Sequence, residues 1–126
     1  MNVQLVSGSQ IDEVWPSVRG HIQKSLDECD DLKIGEMYTF CRSGQGFLFV
    51  SEILDAALIM GFERRNGIES ARVYAMGSEA HADWKTVFEQ IRKFAYANGA
   101  EKMVFQGRKG WSKILGVKPK YYIYEV

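Results

Sequence analysis

The chain has 126 residues, 46% of them hydrophobic and 25% charged, with sixteen acids balanced by sixteen bases. That is the size of one domain whose core needs no covalent staples, and a neutral total is not the electrostatic footprint of a nucleic-acid binder. No apolar run reaches the roughly 18 residues of a spanning helix, and the start MNVQLVSGSQIDE lacks the basic-then-apolar pattern of a secretory signal.

Two cysteines (Cys29 and Cys41) and two histidines (His21 and His81) make no metal or redox spacing. The cysteines read as reduced thiols in a cytosol-like compartment, with no metal expected. The neutral total hides an asymmetry. Residues 1–63 carry ten acids and four bases, net −6, while residues 64–126 carry twelve bases and six acids, net +6. Either the halves fold against each other and their fields offset, or Arg108, Lys109, Lys113, Lys118 and Lys120 form a basic face for an anion or an acidic partner.

In chain order, Val3, Leu5 and Val6 suggest a first strand. Ser9, with Asp12 three residues on, reads as the cap of a helix bearing Ile11, Val14, Trp15, Val18, Ile22 and Leu26 at helical spacing. Pro16 should interrupt it, because proline lacks the amide donor and clashes with the preceding turn. Asp27–Asp31 is an acidic connector, and Asp31 is placed to cap a second helix carrying Ile34, Met37, Tyr38 and Cys41. Ser43–Gly46 ends that helix.

An antiparallel meander follows. Phe47–Ile53 is a strand, Leu54–Asp55 a tight turn, and Ala56–Glu63 a second strand. Asn66–Gly67 is a type I′ hairpin signal, and Ile68–Met76 is the third strand. Gly77–Asp83 reads as a polar loop before the strongest helix, Trp84–Asn98, whose Trp84, Val87, Phe88, Ile91, Phe94 and Ala95 share one face. Gly99 stands at its C-cap. Lys102–Gln106 is a buried strand, Gly107–Gly110 a basic turn, Trp111–Leu115 a short helix and Tyr121–Val126 a closing strand. The strand–helix–strand from Ile68 to Gln106 implies a right-handed crossover with parallel pairing. Trp15, Trp84 and Trp111 read as core anchors or as pocket walls, and the terminal tyrosine-rich strand as core on one face and a partner edge on the other.

The element order and three motifs carry a resemblance. These are Val14-Trp15-Pro16 early in the first helix, Ala95-Tyr96-Ala97-Asn98-Gly99 at the end of the long helix, and Gly107-Arg108-Lys109-Gly110-Trp111 with Leu115 after the next strand. In that order the chain resembles the GNAT superfamily of acetyl-CoA-dependent N-acetyltransferases, and most of all the small GNAT-like proteins of tailed bacteriophages. The resemblance implies an α/β (α+β) fold over residues 1–126. Its sheet is mixed, mostly antiparallel and of about six strands, with helices on both faces and one parallel crossover.

It further implies acetyl-CoA as cofactor, held where the strands flanking the long helix diverge, with the pyrophosphate on the helix N-terminus. Carried onto this chain, the cofactor-binding residues are Tyr74, Met76, Gly77, Ser78, Glu79, His81, Asp83 and Trp84, joined by Arg108 and Lys109. Glu63, through a water, and Tyr74 are the catalytic candidates. The loop departs from the family's glycine-rich pattern, and Glu79 and Asp83 place carboxylates where the pyrophosphate would sit. Two functions follow. One is an N-acetyltransferase with a degenerate pyrophosphate loop. The other is a non-catalytic virion, assembly or host-interaction protein, located in the host cytoplasm or the virion and partnered by protein rather than by membrane or nucleic acid.

Overall fold

The computed structural model describes residues 2–27, 32–79, 83–106, 119–120 and 123–125. In chain order it contains β1 (Val3–Leu5), α1 (Ile11–Leu26), α2 (Ile34–Arg42), β2 (Gly46–Ser51), β3 (Ala56–Arg65), β4 (Ile68–Ser78), α3 (Trp84–Ala97), β5 (Lys102–Gln106), β6 (Pro119–Lys120) and β7 (Ile123–Glu125). The strands form one sheet in the order β1-β2-β3-β4-β5-β7-β6. Every neighbouring pair is antiparallel except β4 and β5, which α3 connects in parallel. This is the expected mixed sheet with one crossover, and it has seven strands among the described residues.

Side-chain alternation along the strands divides the core into two layers. Phe49, Leu58, Met60, Ala71, Val73, Met103 and Phe105 pack under α3, against Trp84, Val87, Phe88, Ile91 and Ala95. On the opposite face Leu48, Val50, Ala57, Ile59 and Ala75 meet Ile11, Trp15, Val18, Ile22 and Leu26 of α1 and Met37 and Cys41 of α2. The central strands are therefore apolar on both sides, which is why Ala56–Met60 reads as an unbroken hydrophobic run. Asn66 and Gly67 adopt the positive φ values, 55° and 79°, that a type I′ turn requires.

Several local expectations are corrected. Ser9 does not cap α1. It lies in a 3-10 turn, Gly8–Gln10, and the cap position is Gln10, whose side chain makes no capping bond to the helix. Pro16 does not interrupt α1, which runs for sixteen residues through it. The buried stripe Trp15, Val18 and Ile22 holds both sides of the proline to the sheet, so packing outweighs one missing hydrogen bond. The cap position of α2 is Lys33; Asp31, like Cys29, lies outside the described residues. β2 stops at Ser51, two residues before the expected end, because the Ser51 side chain turns the chain. Its Oγ accepts from the Asp55 and Ala56 amides and donates to Asp55 Oδ1. The extra strand, β6, opens with a proline at the sheet edge, a place where no ladder donor is needed. The basic turn at 107–110 and the short helix at 111–115 lie outside the described residues, as does all of the closing strand except Ile123–Glu125.

Two close approaches set how the helices sit. The Phe40 ring from α2 covers Gly46 and Gly61, which face each other across β2 and β3, and a Cβ on either would overlap the ring. Gly77, expected in a loop, belongs to β4 and lies against the backbone of α1, where a Cβ would overlap the His21 carbonyl. No flexible side chain can yield there. Gly77→Ala is therefore expected to destabilise by at least the roughly 1–3 kcal/mol typical of overpacking, read as a lowered midpoint in thermal denaturation. Burial pushes the Cys41 thiol up to about 12. Cys41 should thus resist alkylation at pH 8 in the folded protein and react fully in denaturant, as mapped by peptide mass spectrometry.

Candidate functional site

Strands β4 and β5 pair from Ser70–Lys102 to Val73–Phe105, and among the described residues the pairing ends there. β4 continues for five more residues, Tyr74 to Ser78, of which Ala75–Ser78 remain paired with β3 on its other side. β5 meanwhile binds β7 through Val104, Phe105 and Gln106. Among the described residues the sheet thus opens along Tyr74–Ser78. The register of β4 on β3 is irregular at the same point. Met60 pairs with Val73 and Ile59 with Ala75, so Tyr74 is an inserted residue, a β-bulge. A bulge bends its strand and increases the local twist, and the parallel ladder stops at this point.

α3 begins six residues after β4 ends, and its Trp84 and β4's Met76 are buried in the same layer. Asp83 caps the helix: its carboxylate accepts from Thr86 N–H at 3.2 Å and from Thr86 Oγ1 at 2.6 Å. The Thr86 hydroxyl, then the Thr86 amide, hold the Asp83 pKa below its ordinary value. The acidic residue thus occupies one of the helix-start donors that an anion would use. The Glu79 amide donates to the Asp55 carbonyl at 3.0 Å, continuing the β3–β4 register. α1 also closes on the open segment. Met76 N–H donates to Ser25 Oγ at 3.1 Å, and the turn beyond β2 is tied to the same helix by His21 Nε2 and Leu54 O at 3.2 Å.

Tyr74 projects to the face covered by α1 and α2. Phe40 meets its ring edge-on at 5.1 Å, and the Arg72 guanidinium lies 5.2 Å from its centroid. Burial, reinforced by the charge of Glu63, raises the Tyr74 pKa, while Arg72 and Arg65 oppose the rise. Tyr74 is therefore a neutral phenol at physiological pH. Glu63, half-buried on the neighbouring strand, reaches Arg65 at 4.0 Å. Beside this cluster a shallow groove of about 820 Å³ runs along α2, lined by Lys33, Glu36, Thr39 and Phe40 among others.

The structure therefore brings Tyr74, Met76, Gly77 and Ser78 onto one open strand edge, with Asp83 and Trp84 at the following helix start. Gly77 faces α1 rather than the opening. His81, Arg108 and Lys109 lie outside the described residues. Among the described residues there is no group of three or more metal-ligating side chains, and no helix is long and apolar enough to cross a membrane. Ser25, Phe40 and Arg72 join the site without having been singled out in the sequence. Ser25 stands four residues after His21 on the inward side of α1, but the strand beneath it is not written in the helix.

The fold matches solved structures over almost the whole chain. A chain of the NatC complex bound to Gag peptide and CoA has a TM-score of 0.72 at 10% identity, covering 98% of this chain and 94% of that one. A GNAT family acetyltransferase from Brucella melitensis in complex with acetyl-CoA has a TM-score of 0.67 at 10% identity, covering 99% and 86%. The chain has the GNAT fold. An aminoglycoside acetyltransferase from an uncultured soil metagenomic sample, in complex with sisomicin, shares the fold with a TM-score of 0.63 at 11% identity, covering 91% and 82%. In sequence, no family model and no curated protein matches the chain at a significant level.

In this GNAT fold the phenol titration tests the Tyr74 environment. Glu63→Gln should lower the Tyr74 pKa, seen as earlier phenolate absorption against a Tyr74→Phe background. Because the folded value is raised, the contribution of Tyr74 to stability is present below about pH 10, where the unfolded phenol titrates, and is lost as pH rises through the folded value.

Proposed function

We propose that this protein is an acetyl-CoA-dependent N-acetyltransferase whose cofactor lies along the open edge Tyr74–Ser78 and against the start of α3. The observation that carries this reading is the end of the β4–β5 ladder at Val73–Phe105. An exposed strand edge offers amides and carbonyls to an extended amide-bearing chain, which binds as an added strand. The neighbouring helix N-terminus suits phosphate. GNAT-fold proteins holding acetyl-CoA or CoA superpose over nearly the full length and support the placement.

Acetyl-CoA bound there supplies an activated acetyl group. The chain's own residues handle protons and position. Tyr74, kept neutral, donates a hydrogen bond or a proton near the bulge where the sheet opens. Glu63, on the same face, takes the proton of an acceptor amine through a water. His81, Arg108 and Lys109 complete the anion contacts in this reading. The motifs Val14-Trp15-Pro16 and Gly107-Arg108-Lys109-Gly110-Trp111 support a phage-type member.

One observation favours a second reading, a non-catalytic virion, assembly or host-interaction protein: the Asp83 carboxylate already sits on the Thr86 amide. Calorimetry decides between them. The transferase reading expects micromolar binding of acetyl-CoA. Asp83→Ser, which keeps a capping hydroxyl and removes the charge, should tighten it about twofold to fivefold. Tyr74→Phe or Glu63→Gln should lower kcat by about 10²-fold or more with folding intact. No binding at millimolar acetyl-CoA overturns the transferase reading, and recovery of the protein from purified phage particles by mass spectrometry would then support the second.

A further inference from the structure

The β3–β4 ladder fixes the direction in which the Met76 amide points. Glu79 N–H donates to Asp55 O, and bonded pairs in an antiparallel ladder recur every second residue. Gly77–Ala57 and Ala75–Ile59 are therefore the bonded pairs, and Met76–Leu58 between them is a non-bonded pair. The Met76 N–H consequently faces away from β3, into the opening left by β5. It is a donor that an added strand or an amide-bearing ligand would use. In the free protein it is already taken, by the Ser25 hydroxyl of α1 at 3.1 Å.

The hydroxyl is firmly placed. Ser25 stands one helical turn beyond His21, whose carbonyl rests against Gly77, so α1 cannot withdraw from this strand without breaking both approaches. An oxygen about 3 Å from an amide fills the acceptor position of that amide, and a second acceptor along the same N–H direction needs the first to leave. A side-chain hydroxyl leaves by one χ1 rotation, whereas a neighbouring strand could not.

We propose that Ser25 is a latch on the β4 edge. Its hydroxyl holds the acceptor position at Met76 until a ligand carbonyl displaces it, and it thereby sets the affinity of the site for CoA-type ligands. The inference rests on the acetyl-CoA placement given above. It assigns to α1 an affinity-determining role distinct from its packing role, and it predicts that removing the hydroxyl strengthens binding.

The test is calorimetry of acetyl-CoA with wild type, Ser25→Ala and Ser25→Thr, alongside amide resonances of labelled protein. Ser25→Ala should bind about threefold to tenfold tighter, the range of one exchanged hydrogen bond. Ser25→Thr, which retains the hydroxyl, should bind like wild type. In wild type, saturating acetyl-CoA should shift the Met76 amide resonance as its acceptor changes. Unchanged or weaker binding by Ser25→Ala, equal tightening by Ser25→Thr, or an unmoved Met76 amide in a wild-type protein that binds would overturn the latch alone. No binding by any of the three proteins would overturn the cofactor placement and the latch with it.

Discussion

One inserted residue governs the site. Tyr74 has no partner on β3, and from its position onward β4 has none on β5 among the described residues. The bulge also places Tyr74 and Ala75 on one face in succession, so that the tyrosine lies at the opening and the alanine in the core beneath α1. The placement of the phenol and its contact with Phe40 are consequences of that single irregularity.

The opening is bounded by side chains and backbone from three directions. α1 supplies the Ser25 hydroxyl and the His21 carbonyl, α3 begins under the Asp83 carboxylate, and α2 supplies the Phe40 ring. Each of these contacts satisfies or covers something the open edge would leave exposed. On the proposed reading, a ligand at this edge would have to displace these internal contacts before it gained its own.

The elements with strong periodicity were legible in the sequence. The stripe of α3, the Asn66–Gly67 turn and the two-sided apolar strands follow from side-chain spacing, and their order is enough to imply the parallel crossover. The boundaries were not. Ser51 ends β2 through hydrogen bonds to residues four and five positions on, Gly77 and Ser78 extend β4 into what composition marks as a loop, and Pro16 is carried inside α1 by tertiary burial. The bulge is invisible because Arg72-Val73-Tyr74-Ala75-Met76 alternates acceptably in either register. Of the candidate site, Tyr74 and Asp83 were identifiable from type and position. Ser25 was not, since its role depends on which strand α1 crosses.

The facing glycines beneath Phe40 carry a consequence for how the sequence can drift. Gly46, Gly61 and the ring form a notch and its filler, contributed by three separate elements. A methyl on either glycine is costly while the ring is present, and losing the ring first leaves a void beside Tyr74. Substitutions here are coupled rather than additive, so the order in which they arise decides whether each intermediate folds. The notch therefore acts as an epistatic lock, in which any viable exchange must enlarge the floor and shrink the filler together, and the wall of the Tyr74 site inherits that restraint.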